Sequence, residues 1–158
     1  MLFVFVVTFI VFPGVAFNPN AELSFLSKLP NSYGWFIVFM NTTFSIFDTV
    51  GRKAATLHLL SDGKIKVLTA SRVIFIGTFY CIAFGVRGFQ SDWLTVLNIT
   101  LCAFTNGYFS TLCAIKAPMA VEAEHKGQVG GFTGITIVTG IIIGSSIALA
   151  MTPVLDKA

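Results

Sequence analysis

The sequence predicts an all-α membrane protein, a single bundle of about five transmembrane helices. Of its 158 residues, 55% are hydrophobic and only 11% are charged, and the mean hydropathy is +0.85. A soluble domain has about 25% charged residues. The charges lie in clusters between apolar runs of roughly 17–25 residues, the helix length that crosses about 30 Å of hydrocarbon. This composition excludes an ordinary soluble domain and predicts the lipid bilayer as a partner.

The five apolar runs are joined by short connections with turn-forming residues, and no connection is long enough for a second domain. The first run has no Lys or Arg ahead of it, which favours a membrane helix over a signal peptide. Tyr33 and Trp35 stand at the start of the second run and Trp93 at the start of the fourth, where aromatic side chains anchor helix ends at the headgroups. The predicted spans are residues 1–17, 33–51, 67–86, 93–117 and 129–151.

Glycines recur at three- and four-residue spacing along the last span and just before it. Such spacing lets a second helix approach the backbone closely. It favours tight helix packing, although a mobile, gate-forming helix would show the same pattern. The glycines are Gly127, Gly131, Gly134, Gly140 and Gly144.

Lys and Arg residues are distributed unevenly between the two sides of the predicted spans. The connections after the second and fourth spans hold seven of them, and the opposite side holds three. Because basic residues favour the cytoplasmic side, we predict a cytosolic N-terminus and an extracellular C-terminus. The basic stretch could bind nucleic acid or lipid, but topology explains the cluster without either, so no nucleic-acid partner is predicted. The seven residues are Arg52, Lys53, Lys64, Lys66, Arg72, Lys116 and Lys126.

A polar stripe runs along the second span. At about 100° per residue, Asn41, Ser45, Asp48 and Arg52 fall near 0°, 40°, −20° and 20°, within a wedge of about 60°. An aspartate at the centre of a spanning helix costs about 2.5–3.5 kcal/mol in lipid. The stripe must therefore face protein or a water-filled cavity.

Two interpretations of this stripe remain open from spacing alone. Arg52 could extend to the cytosolic headgroups, with Asp48 one turn away as a structural ion-pair partner. Alternatively, the stripe could bind a polar solute. Asn41 and Ser45 lie deeper than a headgroup-seeking arginine requires, which favours a cavity.

The stripe also carries a family resemblance. Phe44–Arg52 reads FSIFDTVGR and resembles the F-N-x-x-D-x-x-G-R signature in the eighth helix of the equilibrative nucleoside transporter family. Further segments resemble family motifs in the correct order, so that the resemblance covers nearly the whole chain. They are Phe12–Gly14 (F-P-[AG], seventh helix), Arg72–Phe75 (R-x-x-F, ninth helix), Phe104–Cys113 (F-S-N-G-Y-x-x-S-L-C, tenth helix), and Ala117–Glu124 with the last span (cytosolic loop and eleventh helix).

The resemblance implies a major-facilitator-like fold, with a six-helix and a five-helix bundle around a central cavity that carries nucleosides or nucleobases. It implies that Asp48 and Arg52 line that cavity, that Ser45 replaces a family asparagine, and that Phe5 is a cavity-facing aromatic residue. Alternating access needs two bundles, and the six N-terminal helices are absent here. The resemblance therefore implies the C-terminal half of a longer transporter, or a bundle that assembles with another polypeptide.

Two other functions remain as alternatives. The chain could be a truncated bundle that does not transport and only associates with another membrane protein. It could also belong to a facilitator-like transporter of another small polar solute, because such folds serve many substrates.

Enzymatic and metal chemistry are not predicted. The sequence has no nucleophile–base pattern and no phosphate-binding glycine loop, and no cofactor is expected. His58 and His125 lie in different predicted loops without ligand spacing, so no metal site is predicted. Cys81, Cys102 and Cys113 lie within predicted spans and are given packing roles.

Overall fold

The computed structural model describes residues 1–18, 23–57 and 60–155, with side chains as far as Thr152. The described residues form helices and contain no strand, which confirms the all-α class. The α-helices are α1 Leu2–Phe9, α2 Ser32–Leu57, α3 Asp62–Ser71, α4 Val73–Ala83, α5 Asp92–Met119 and α6 Lys126–Leu155. A short 3₁₀ helix, Ala123–His125, leads into α6.

The first predicted span is not one continuous helix. α1 ends at Phe9 and continues as a π-helical turn, Ile10–Gly14, and a 3₁₀ turn, Val15–Phe17. Phe12 has extended dihedrals, φ −124° and ψ 127°. Proline lacks the backbone N–H that a helix needs and disfavours helical dihedrals in the residue before it. Pro13 therefore breaks the predicted helix of residues 1–17 at Phe12.

The third predicted span begins earlier than expected. Helix starts at Asp62 rather than at residue 67, so Lys64 and Lys66 are helical and not part of a loop. Arg72 separates α3 from α4 and is 1% exposed. Counting Arg72 with the basic residues of a cytosolic connection was wrong, because its side chain lies inside the bundle.

The helices alternate in direction, which brings five helix ends together. The N-termini of α1, α3 and α6 meet the C-termini of α2 and α5 around a shared crevice and a small apolar cluster that includes Val4, Ala55 and Leu112. This end carries Lys66, Lys116 and Lys126, and we call it the basic end. The larger apolar core lies toward the other end, where Phe36, Met40 and Phe79 are buried.

Two pairs of helices pack closely through glycine. α2 crosses α5 where a methyl group added to Gly51 would collide with the carbonyl of Phe104, and one added to Gly107 would collide with that of Asp48. α6 packs on α1, with a Cβ built on Gly144 lying 2.7 Å from the Val6 carbonyl oxygen.

The outer surface of the bundle is apolar over most of its length. Leu97, Ile142 and Leu149 are among many exposed large hydrophobic side chains. Two helical segments pass a test of length and hydropathy for a membrane span, Asp62–Ala83 and Ala123–Thr152. α2 and α5, with 26 and 28 residues, are long enough to cross a bilayer but do not pass that test. Their lower hydropathy reflects polar residues, some of which are buried, such as Asp48 and Asn106, and some exposed, such as Asn41.

Candidate functional site

The site begins with an ion pair within α2. Arg52 Nε donates a hydrogen bond to Asp48 Oδ2 over 2.7 Å, one turn apart on the same helix. The two side chains differ in exposure, 54% for Arg52 and 12% for Asp48. The pair therefore presents its guanidinium outward and holds its carboxylate inward.

The second oxygen of the carboxylate is bound from α5. Asn106 Nδ2 donates to Asp48 Oδ1 over 2.8 Å. Asn106 Oδ1 in turn lies 2.7 Å from the hydroxyl of Thr8 on α1, which also lies 2.7 Å from the Val4 carbonyl oxygen. With one proton, the hydroxyl donates to one of these acceptors at a time.

The chain of hydrogen bonds ends at the buried Arg72. Its Nη2 donates to Thr8 Oγ1 over 2.8 Å and to the Cys102 carbonyl oxygen over 3.2 Å, and its Nη1 donates to the Val4 carbonyl oxygen over 2.9 Å. Arg52, Asp48, Asn106, Thr8 and Arg72 thus form one connected set across α1, α2, α5 and the α3–α4 junction. We call these five residues the polar network.

The network explains how a charged group is accommodated in the interior. Arg72 forms no ion pair with any described residue, and its Nε has no hydrogen-bond partner. A buried charge needs polar partners to offset its desolvation. Arg72 finds them in two carbonyls and a hydroxyl, and the carboxylate of Asp48 lies two hydrogen bonds further along the network.

Two residues of the predicted stripe lie outside the network. Asn41 and Ser45 are exposed, and Asn41 Nδ2 donates to the Ile37 carbonyl in its own helix. The buried face of α2, which includes Met40 and Gly51, is centred about a quarter of a turn from the stripe. Asp48 lies at the boundary between the two faces, so the stripe divides into a buried carboxylate and an open polar face.

Two aromatic contacts lie near the polar network and the stripe. Phe5 is 8% exposed, and its Cβ lies 2.8 Å from a Cβ built on Gly140. Phe5 therefore packs toward α6. Phe12, at the break in the first span, stacks on Phe44 of α2 with ring centroids 4.3 Å apart, which places an aromatic pair next to Ser45.

Sequence reasoning missed three members of the network as site residues, namely Thr8, Asn106 and Arg72. An asparagine in the middle of an apolar span was a usable signal, since polar side chains there hydrogen-bond across helices. Arg72 gave a second signal, an arginine within a predicted span. Thr8 gave none, because helical threonines commonly bond to their own backbone.

The two histidines were predicted not to form a metal site. His125 is exposed at the basic end, and His58 lies outside the described residues. No group of three potential metal ligands occurs among the residues searched, which are the described ones.

An apolar exterior around a buried network of charged and polar groups is the organisation of an integral membrane protein. The family model "Nucleoside transporter" matches residues 1–152. The chain therefore belongs to the nucleoside transporter family. This family and the relatives below are transporters and not enzymes.

Several curated proteins are similar to the chain. Equilibrative nucleotide transporter 1 of Arabidopsis thaliana is 26% identical over 94% of this chain and 32% of its own length. Nucleoside transporter 2 of Leishmania donovani is 28% identical over 94% and 28%, and equilibrative nucleoside transporter 1 of Mus musculus is 24% identical over 94% and 35%. The chain spans about a third of the length of these relatives. No solved structure matches it significantly.

Proposed function

We propose that the chain forms one wall of a pathway that carries nucleosides or nucleobases across a membrane. Membership of the nucleoside transporter family supports the solute class. The polar network supports the assignment to this bundle, because charged groups within membrane helices generally serve transport pathways or ligand binding.

The observation that carries the proposal is the asymmetry of the Asp48–Arg52 pair. Both oxygens of Asp48 accept hydrogen bonds within the protein. Arg52 uses only Nε among its described contacts, and its side chain is 54% exposed. We infer that Arg52 donates to the carbonyl or hydroxyl groups of an uncharged solute, while Asp48 holds the guanidinium in place.

The open polar face of α2 defines where the solute would lie. Asn41 and Ser45 are exposed along the same stripe as Arg52, which gives donors and acceptors at successive turns. Further helices would cover this face in the complete transporter and supply the opposite wall. Alternating access would then be movement of the two walls about the solute.

Uptake of labelled uridine and adenosine by the complete transporter tests this role. We expect Arg52→Gln to reduce uptake at least about tenfold, equivalent to roughly 1.4 kcal/mol of solute interaction. The matched control is Lys53→Gln, the neighbouring exposed cation outside the network, which should retain uptake. Both variants should reach the membrane in normal amounts.

A binding measurement separates solute contact from folding. Uridine should raise the melting temperature of the purified wild type and of Lys53→Gln, but not of Arg52→Gln. Equal uptake by the two variants would mean that Arg52 has a structural role and does not contact the solute. A wild-type protein that moves neither nucleoside would contradict the solute class and favour a non-transporting bundle or another solute.

The double substitution Asp48→Arg with Arg52→Asp is a weaker test of the solute role of Arg52 than helix spacing alone indicates. The exchange would turn a guanidinium toward Asn106, whose amide now donates to the Asp48 carboxylate. Two donors would then face each other unless the Asn106 amide turned over, and the larger guanidinium would still have to fit at the close α2–α5 crossing. The exchange would therefore damage the network even if Arg52 had no solute role.

We further propose that the chain crosses the membrane five times with its basic end in the cytosol. The unequal distribution of Lys and Arg supports this orientation. A cysteine placed at position 62, in a variant that lacks the native thiols, should react with impermeant reagents only after the cells are opened. Labelling of intact cells would contradict this orientation and place the basic end outside the cell.

A further inference from the structure

A cavity lies at the basic end, apart from the polar network. It is a crevice of about 700 Å³ between α1, α3, α5 and α6. This volume lies within the range typical of ligand sites, about 300–1,000 Å³. None of the five network residues lines it. We call it the basic-end crevice, and its apolar lining includes Phe3, Ile65, Val129 and Phe132.

The charged side chains that line the crevice are two lysines and one aspartate, which leaves a net positive charge. Lys116 on its α5 wall is paired with Asp62 of α3. Lys66 also lines the crevice and forms no ion pair with any residue that the structure describes. One cation is therefore available to an anionic group.

An unpaired hydroxyl lies three residues further along the same wall. Thr69 lines the crevice, and its Oγ1 is buried without a hydrogen-bond partner. Thr49, Thr105 and Thr136 instead donate to carbonyls of their own helices. A buried polar group without a partner is unfavourable. A turn of the Thr69 side chain toward the crevice would let its hydroxyl donate to a ligand oxygen beside Lys66.

We propose that the basic-end crevice binds one anionic phospholipid. Its phosphate would lie at Lys66 and Thr69, and an acyl chain would follow the apolar wall past Phe132. The combination of a cation with an apolar groove favours an amphiphile over a soluble anion. Basic pockets between membrane helices are known to hold anionic headgroups in this way. This inference does not rest on the proposed transport of nucleosides.

Native mass spectrometry of the purified chain in a non-ionic detergent tests the proposal. The probe is an equimolar mixture of phosphatidylglycerol and phosphatidylcholine with matched acyl chains. We expect phosphatidylglycerol to be retained about five-fold better, the effect of one lysine near an anionic lipid. Lys66→Gln should abolish this preference.

Two variants make the test specific. Lys64→Gln removes a cation from the same helix that does not line the crevice, and it should keep the preference. Ala117→Trp adds bulk to the crevice wall without changing charge, and it should reduce bound lipid. An unchanged melting temperature for each variant shows that the fold is intact.

The outcomes that contradict the proposal are distinct. Equal losses from Lys64→Gln and Lys66→Gln would indicate a diffuse surface effect, and equal retention of both lipids would remove the anionic requirement. Displacement of phosphatidylglycerol by an equal concentration of inorganic phosphate would identify a soluble anion as the ligand instead. Full retention by Ala117→Trp would place the lipid elsewhere.

Discussion

The glycine of α5 and the glycines in the first part of α6 have different surroundings. Gly107 of α5 lies directly against the carbonyl of Asp48 in α2. Gly127, Gly131 and Gly134 in the first part of α6 have no atom within 4 Å of a Cβ built on them. Glycine thus permits a close helix crossing in α5, whereas in the first part of α6 it has no close neighbour.

The close crossing of α2 and α5 at Gly107 makes a hydrogen bond of the polar network possible. Because Gly107 lets the backbone of α2 approach, the neighbouring Asn106 reaches the Asp48 carboxylate at 2.8 Å. The glycine contact and the polar network are therefore linked. Gly107 allows α2 and α5 to lie close together, and the Asn106–Asp48 hydrogen bond depends on that short distance between the helices. Close helix approach at small residues is a general feature of membrane bundles.

The largest effect we predict comes from closing that space. Gly107→Ala would place a methyl group on the Asp48 carbonyl, and backbone atoms cannot move aside as a side chain can. We expect a loss of about 3 kcal/mol or more in the free energy of unfolding, as in severe overpacking. Thermal unfolding in detergent measures it. An unchanged melting temperature would show that α2 and α5 do not approach this closely.

The next largest effect comes from the other end of the network. Arg72→Met removes the donors to Val4, Thr8 and Cys102 while keeping much of the side-chain volume. We expect destabilisation of about 1–3 kcal/mol, the cost of leaving buried polar groups without partners. Arg87→Met, at an exposed arginine, is the matched control and should leave the melting temperature unchanged. Equal effects of the two substitutions would exclude a structural role for the network.

Much of the fold follows from hydrophobicity alone, since each predicted span contains helix in the structure. The interruptions of the first and third spans do not follow from hydrophobicity. Pro13 was visible, and because a proline disfavours helical dihedrals in the residue before it, the break at Phe12 could have been predicted. Arg72 was counted with the basic residues of a cytosolic connection although it lies within the predicted span 67–86. Its burial depends on Thr8 and on carbonyls of other helices, which the sequence does not place beside it.

The candidate site was predicted in part. Helical geometry correctly placed Asp48 one turn from Arg52, and the structure shows their ion pair. The same geometry could not tell which edge of the stripe is buried, because that depends on where α5 crosses α2. Asn41 and Ser45 consequently lie open although they share the wedge of Asp48.

A smaller effect is expected where α6 packs on α1. A Cβ built on Gly144 lies 2.7 Å from the Val6 carbonyl oxygen and 2.8 Å from the Phe9 Cβ. Helix propensity partly offsets this contact, since alanine is favoured over glycine by about 1 kcal/mol. We predict that Gly144→Ala destabilises the chain by about 1 kcal/mol net. The same thermal unfolding measures it, and a loss equal to that of Gly107→Ala would remove the distinction between the two contacts.

The smallest effect, and one of opposite sign, is predicted for the open part of α6. Gly131 has no neighbour within 4 Å of an added Cβ, so Gly131→Ala meets no steric opposition. Alanine also loses less backbone freedom on folding, which is worth about 0.5–1 kcal/mol within a helix. We therefore expect the melting temperature of the chain to stay the same or rise slightly. A clear fall would mean that this face packs against another part of the bundle. Comparison with the complete transporter sharpens the result, because the further helices proposed above could cover this face. Destabilisation by Gly131→Leu there, but not in the chain alone, would identify the open glycines as a contact for those helices.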